Sequence, residues 1–227
     1  MTSSFVLTLS PKQYVISDAG KYLRDYQNGV NYRNREIEET GHVYMDYKST
    51  TPSDPNKVVP EDLAVTLLIN SRIDWKAFRS LQDHGSEIDL SQLPQKPLEQ
   101  TSAEERQQVA ALIAKMTQFD GFAASVATKV LHKKRPALIP ILDNLAIFGA
   151  YMNPNWPQKP ASSDSVKKDE NRIYKALDWI AFDLNRAENV AVWNELQSIA
   201  PPERSRIQLF DSVWWMYFQE NNSKKEQ

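Results

Sequence analysis

The chain has 227 residues, 41% of them hydrophobic, with 27 Lys and Arg against 29 Asp and Glu for a formal charge of −2. No run approaches the roughly 18 apolar residues that a membrane span requires, and the charge balance offers no global basic field for a polyanion. The absence of Cys excludes disulfides, thiolate metal sites, iron–sulfur clusters and cysteine nucleophiles together. Residues 1–9 lack the basic lead and apolar run of a secretory signal, and with no cysteine the expectation is a soluble cytoplasmic protein.

Residues 1–60 read as an irregular extension. Phe5–Leu9 is β-prone, and Ser17–Tyr26 forms a short helix with Ser17 or Asp18 as N-cap. Thr40–Tyr47 is left unassigned. From Pro60 to Ile69 the pattern is a buried helix, proline at its first position and acids in its first turn, though β-branched content leaves a strand possible. A helix over Trp75–Asp83 ends at Gly85, and the proline-rich stretch 86–100 is expected to be a loop. Thr101 to Glu104 reads as a capping box, followed by Val109, Leu112, Ile113 and Met116 at helical spacing. Further helices are expected at Ala124–Lys133, around Ile173–Leu184, at Val190–Ile199 and at Ser205–Gln219. Asn153–Ser165 is a long loop, and 221–227 a polar tail. The fold class is all-α, or nearly so: one helical domain over 61–220, carrying the N-terminal extension.

Chemistry-bearing motifs are few. His42, His84 and His132 stand alone, without metal-binding spacing, so no metal or cofactor is expected. Walker loops, dinucleotide fingerprints and Gly-x-Ser-x-Gly elbows are absent from the sequence. The informative stretch is 109–150. It predicts a helix, a tight hairpin at Asp120–Ala123, a second helix, the basic run His132-Lys-Lys-Arg135, an extended Ile139–Leu142, and Asp143 at the head of another helix. A hairpin opening a helix presents backbone N–H groups and the positive end of the helix dipole, which together bind phosphate.

This arrangement resembles the helix-hairpin-helix DNA glycosylase superfamily, with the hairpin unit over 102–152. Those enzymes carry Gly-hydrophobic-Gly in the hairpin and a later aspartate at a helix start, and Gly121 and Asp143 lie at the interval they show. Pro140-Ile-Leu-Asp143 is similar to the adenine-removing branch, and Ser125 falls where bifunctional members have a Schiff-base lysine. The string Lys134-Arg-Pro-x-Leu-Ile-Pro-x-x-Asp143 also resembles a bacterial family of unknown function. The sequence departs from the glycosylase pattern at Ala123, which replaces the second glycine and would be strained at positive φ. It departs again at Asp120, beside the expected phosphate, and at Leu145 and Ala146, where a His often follows the aspartate.

The resemblance implies Asp143 as the catalytic carboxylate; a helix N-cap is the alternative. It implies that Gly121, Phe122, Ala123 and Ser125 hold a phosphate; an ordinary interhelical turn is the alternative. Lys129, Lys133, Lys134 and Arg135 would contact a DNA backbone, or else stabilise the C-terminal end of their own helix. Of the six tryptophans, Trp179, Trp193 and Trp214 fall on core faces and Trp156 lies in the long loop; Tyr44, Asp46 and Tyr47 are further pocket candidates. Three functions follow: a degenerate glycosylase-like module that binds DNA or another phosphate-bearing ligand without cleaving it, a monofunctional DNA N-glycosylase using Asp143, or a protein-interaction domain.

Overall fold

A computed structural model of the chain describes residues 5–7, 13–32, 54–67, 73–153 and 169–223. Thr40–Tyr47, with the candidates Tyr44, Asp46 and Tyr47, lies outside these residues, as does Trp156. The described architecture is mostly helical, as the apolar periodicity requires. None of its helices is long and apolar enough to cross a membrane.

The described residues of the N-terminal block form regular elements. Strand β1 (Phe5–Leu7) pairs antiparallel with β2 (Tyr14–Ile16), Phe5 opposite Ile16. Helix α1 (Ala19–Gln27) follows, and Asp18 is its N-cap, in a left-handed conformation with its carboxylate accepting from Lys21 N. Tyr14 packs edge-on against Trp214, ring centroids 5.0 Å apart, and Tyr22 hydrogen-bonds Glu220. These contacts fix α1 against the last helix.

Pro60–Leu63 is a single 3-10 turn running into α2 (Ala64–Leu67), so the described part of the expected 60–69 helix is tighter at its start. Helix α3 (Trp75–His84) is capped by Asp74, which accepts from Lys76 N, and stops at Gly85. The stretch 86–100, expected to be a loop, has short turns with apolar anchors. It winds through short 3-10 turns that bury Ile88, Leu90, Leu93 and Leu98, because its leucines recur often enough to give each turn an apolar anchor.

Helix α4 (Ala103–Met116) starts one residue later than the capping-box reading places it. Ser102 and Glu105 form the box: Glu105 N donates to Ser102 Oγ at 3.3 Å and Ser102 N to Glu105 Oε2 at 2.7 Å. Helix α5 (Ala124–Lys134) follows the hairpin. The segment after Asp143 is a π-helix, Asn144–Tyr151, where an α-helix was expected. Its wider turn is visible in Phe148 N donating to Asp143 O, five residues back, and Met152 N to Ile147 O. Side chains from outside complete its carbonyl bonding: Trp214 Nε1 donates to Ala146 O at 2.8 Å and Tyr14 Oη to Ala150 O at 3.0 Å.

Three helices close the core: α6 (Glu170–Asn185), α7 (Val190–Ile199) and α8 (Arg206–Ser223). α6 buries Ile173, Leu177, Ile180, Ala181 and Leu184, the face expected from their spacing, mainly against α4. Trp193 and Trp214 are buried and Trp179 packs at the core's edge. Each fully buried side chain of this size stabilises the fold by about 1.5–3 kcal/mol.

Candidate functional site at the two ends of one helix

The hairpin is built from the C-terminus of α4. Thr117 N bonds back to Ile113 O and Ala114 O, Phe119 N to Met116 O, and Phe122 N to Phe119 O at 3.1 Å. Gly121 has φ +83°, the left-handed region that a side chain disfavours. A Cβ there would also stand 2.6 Å from Ala77 N of α3 and 2.9 Å from Ala77 Cβ. Ser80 Oγ on the same helix donates to Asp120 O at 3.0 Å. Phe119 and Phe122 are buried, ring centroids 6.3 Å apart and edge to face. The turn is therefore clamped against the first turns of α3, with Gly121 itself exposed.

Ala123 has φ −134° and ψ 172°, which is extended backbone open to any residue. The expected strain from its missing glycine is thus absent: only Gly121 occupies the left-handed region in this turn. Ala123 is the N-cap of α5 and makes no side-chain cap hydrogen bond. Four of the five other α-helices of eight or more residues whose N-caps are described, α1, α3, α4 and α6, have a side chain accepting from their first turn; α7, behind Asn189, has none. The first turn of α5 is left with its amides and dipole uncompensated by a cap. Ser125 is buried within that turn.

Asp143 is brought close to α5 by a residue the sequence reading did not single out. Thr128 Oγ1 donates to Ala124 O at 2.7 Å and accepts from Leu142 N at 2.9 Å, bolting the extended approach to the helix. Asp143 caps the π-helix, its Oδ1 accepting from Leu145 N at 2.8 Å and Ala146 N at 2.9 Å. The N-cap alternative therefore describes what its carboxylate does in the fold. Lys129, one residue beyond Thr128, is partly buried; desolvation pushes its amine down while the Asp143 carboxylate pulls it back up. The two groups face each other electrostatically.

The other end of α5 is different in kind. His132 is wholly buried, its Nδ1–H donating to Ile139 O at 2.6 Å, and burial holds it down to about 4, so the ring is neutral at pH 7. Asp211, also buried, accepts from Ile141 N at 3.2 Å and stands 4.0 Å from the same ring; burial raises it well above the carboxylate range. Lys134 makes an ion pair with Asp62 at 2.9 Å in which both side chains are under a tenth exposed. Arg135 donates to the carbonyls of Pro55, Lys134 and Leu90 and to Asn56 Oδ1. That guanidinium pins 54–56 and the 3-10 turn at Leu90 to the end of the helix. Lys133 is half-buried, and its charge acts on His132.

The structure thus gathers Gly121, Phe122, Ala123 and Ser125 at one end of α5, and Lys134 and Arg135 at the other. Lys129 lies with Asp143 between them. Besides Thr128, the sequence reading did not single out Trp75, which is 73% exposed on the face of α3 opposite the Ala77 that Gly121 abuts. Its signal was the alternation Trp75-Lys-Ala-Phe-Arg79, aromatic and basic residues at neighbouring positions. Among the described residues no group of three or more His, Asp or Glu could hold a metal ion. A family model, described as a family of unknown function (DUF6308), matches residues 19–218. No curated protein and no solved structure matches the chain.

Proposed function

We propose that this chain, which belongs to the DUF6308 family of unknown function, is a glycosylase-like helix-hairpin-helix module that binds a phosphate-bearing ligand, DNA foremost, without cleaving it. The observation that carries the reading is the uncapped first turn of α5 delivered by an exposed left-handed Gly121 that is locked in place by α3. Backbone amides at such a turn fit a phosphate without side-chain charge. Lys129 and Lys133 supply cation density along the same helix, while Lys134 and Arg135 hold the scaffold.

Two features favour binding over catalysis. Asp143 Oδ1 is engaged by two amides, and the carboxylate already faces the Lys129 ammonium. A negative charge so compensated offers less stabilisation to a developing oxocarbenium ion. Affinity for a duplex measured against salt tests the reading: the expected result is binding that weakens linearly in log[salt] with a shallow slope of about two contacts. Absence of binding at low salt, or a flat slope, contradicts it.

One observation favours N-glycosidic hydrolysis as a second reading: both cap bonds to Asp143 fall on Oδ1, so capping and catalysis do not compete for the same oxygen. Incubation with duplexes carrying mispaired or damaged bases would then yield abasic sites, and activity that survives Asp143→Asn would remove the assigned role.

A further inference from the structure

The first turn of α5 holds donors that the fold does not use. Ala127 N is the first amide of that helix with a backbone acceptor, Ala123 O at 3.0 Å. Ahead of it, the amides of Ala124, Ser125 and Val126 have no acceptor among the described residues, as expected of an uncapped helix start. The Ser125 hydroxyl is a separate observation. Ser125 is 7% exposed, yet its Oγ bonds to no described residue. Thr128, one turn on, commits its hydroxyl to Ala124 O and Leu142 N, and Ser80 behind the turn commits its own to Asp120 O. Buried hydroxyls are nearly always hydrogen-bonded, so the natural partner of this one is an acceptor from outside the chain. Side chains on an α-helix tilt toward its N-terminus. The hydroxyl of a first-turn residue is therefore aimed at the same end as the three amides.

Building on the hairpin reading, we infer that this turn is a subsite for a phosphomonoester, a phosphate with three free oxygens and one ester arm, and that Ser125 Oγ donates to one of those oxygens. Three amides and a hydroxyl converge on one helix end, and hydrogen bonds to an ionised acceptor are the strong ones. An internal phosphodiester offers two free oxygens and carries a substituent away on both sides. A monoester offers three and leaves by a single arm. The flanks of the turn suit the single arm: Phe122 and Ala124 are 3% and 0% exposed, while Gly121 is exposed and Ala123 partly so. Reaching a hydroxyl this buried draws the phosphorus deeper than a strand passing over the surface places it. Lys129 follows Ser125 by four residues on the same helix face, where its charge faces that of Asp143. Asp120 is exposed in the hairpin, and solvent screens it.

The test follows the Ala124, Ser125 and Val126 amides of the full chain by NMR, for wild type and Ser125→Ala. The ligands are methyl phosphate, dimethyl phosphate, and an oligothymidylate with or without a 5′-phosphate. Alanine suits a helix at least as well as serine, and a thermal melt checks that the variant is folded. The expected result is saturable shifts with methyl phosphate and binding of dimethyl phosphate weaker by roughly tenfold, with methyl phosphate affinity also lowered roughly tenfold in Ser125→Ala through loss of one charge-assisted hydrogen bond. A 5′-phosphate that raises oligonucleotide affinity makes a strand end the source, and a gain confined to methyl phosphate makes it a small phosphomonoester; either supports the subsite. Dimethyl phosphate bound as tightly as methyl phosphate, or methyl phosphate affinity unchanged in Ser125→Ala, overturns the subsite, and the hairpin reading then stands on the oligonucleotide shifts alone. No shift of these amides with any of the ligands at low salt overturns both.

Discussion

The two ends of α5 use the same kinds of groups to opposite effect. At the C-terminal end three side chains are committed inside the fold: His132 bonds Ile139 O, Lys134 meets Asp62, and Arg135 ties down three carbonyls and an amide oxygen. At the N-terminal end the cap position is an alanine with no side chain to offer, and the turn before it is held from behind by α3 rather than from the front. A run of cations therefore marks a structural joint, and a stretch with no charge but Asp120 marks the candidate site. Concentrated charge in a sequence is weak evidence of charge on a surface.

The contrast can be broken most forcefully at the C-terminal end. Lys134→Met leaves Asp62 buried without its cation, and such a loss costs about 3–5 kcal/mol; urea denaturation should show it as a lower midpoint with little change in slope. A variant of wild-type stability would mean that Lys134 is not a structural residue. At the hairpin, Gly121→Ala adds a positive-φ penalty of about 1–2 kcal/mol and an overpacking cost of about 1–3 kcal/mol against the α3 backbone. The same unfolding measurement reads it, and a neutral outcome would show that the turn is not clamped.

The buried pair at the C-terminal end gives a pH signature. His132 is held down from 6.5 to about 4, so across that window the unfolded chain binds a proton that the folded chain refuses, and stability is lost as pH falls through it. Asp211, raised by burial, keeps a proton that the unfolded chain releases, so its contribution is lost as pH rises above about 4. The two oppose each other over the shared window. Asp211→Asn leaves His132 acting alone, and stability should then rise by about 3 kcal/mol between pH 4 and pH 6.5, against a flatter wild-type profile. Equal profiles would mean that the pair is not buried as described.

Smaller effects sharpen the middle of the helix. Asp143→Ala removes an N-cap and should lower stability by about 0.5–2 kcal/mol, while Asp143→Asn, which still accepts from Leu145 N and Ala146 N, should lose only a few tenths. Lys133→Ala should reduce the duplex salt slope by about 0.9.

Much of this was legible in the sequence because it is local. Asp18 capping α1, Gly85 ending α3, Gly121 in the hairpin and Asp143 opening the next helix are all set within a few residues of themselves. What escaped the reading depends on partners far along the chain. Arg135 meets Pro55, Asn56 and Leu90, Lys134 meets Asp62, and Ile141 meets Asp211. No periodicity announces such pairings. The π-helix escaped for the same reason, since Tyr14 and Trp214 supply its outside donors. Trp75 was placed on its helix correctly, but its exposure depends on what α3 packs against, and the packing of α3 is fixed by a glycine in a distant turn.

The contrast between the two ends is tested most directly by backbone amide NMR of the full chain titrated with a short DNA duplex. The account predicts shift changes concentrated at Gly121 and Ala123–Ser125, with the Lys134 and Arg135 amides unmoved. Changes centred on Lys134 and Arg135, or none at the hairpin under low salt, would contradict it.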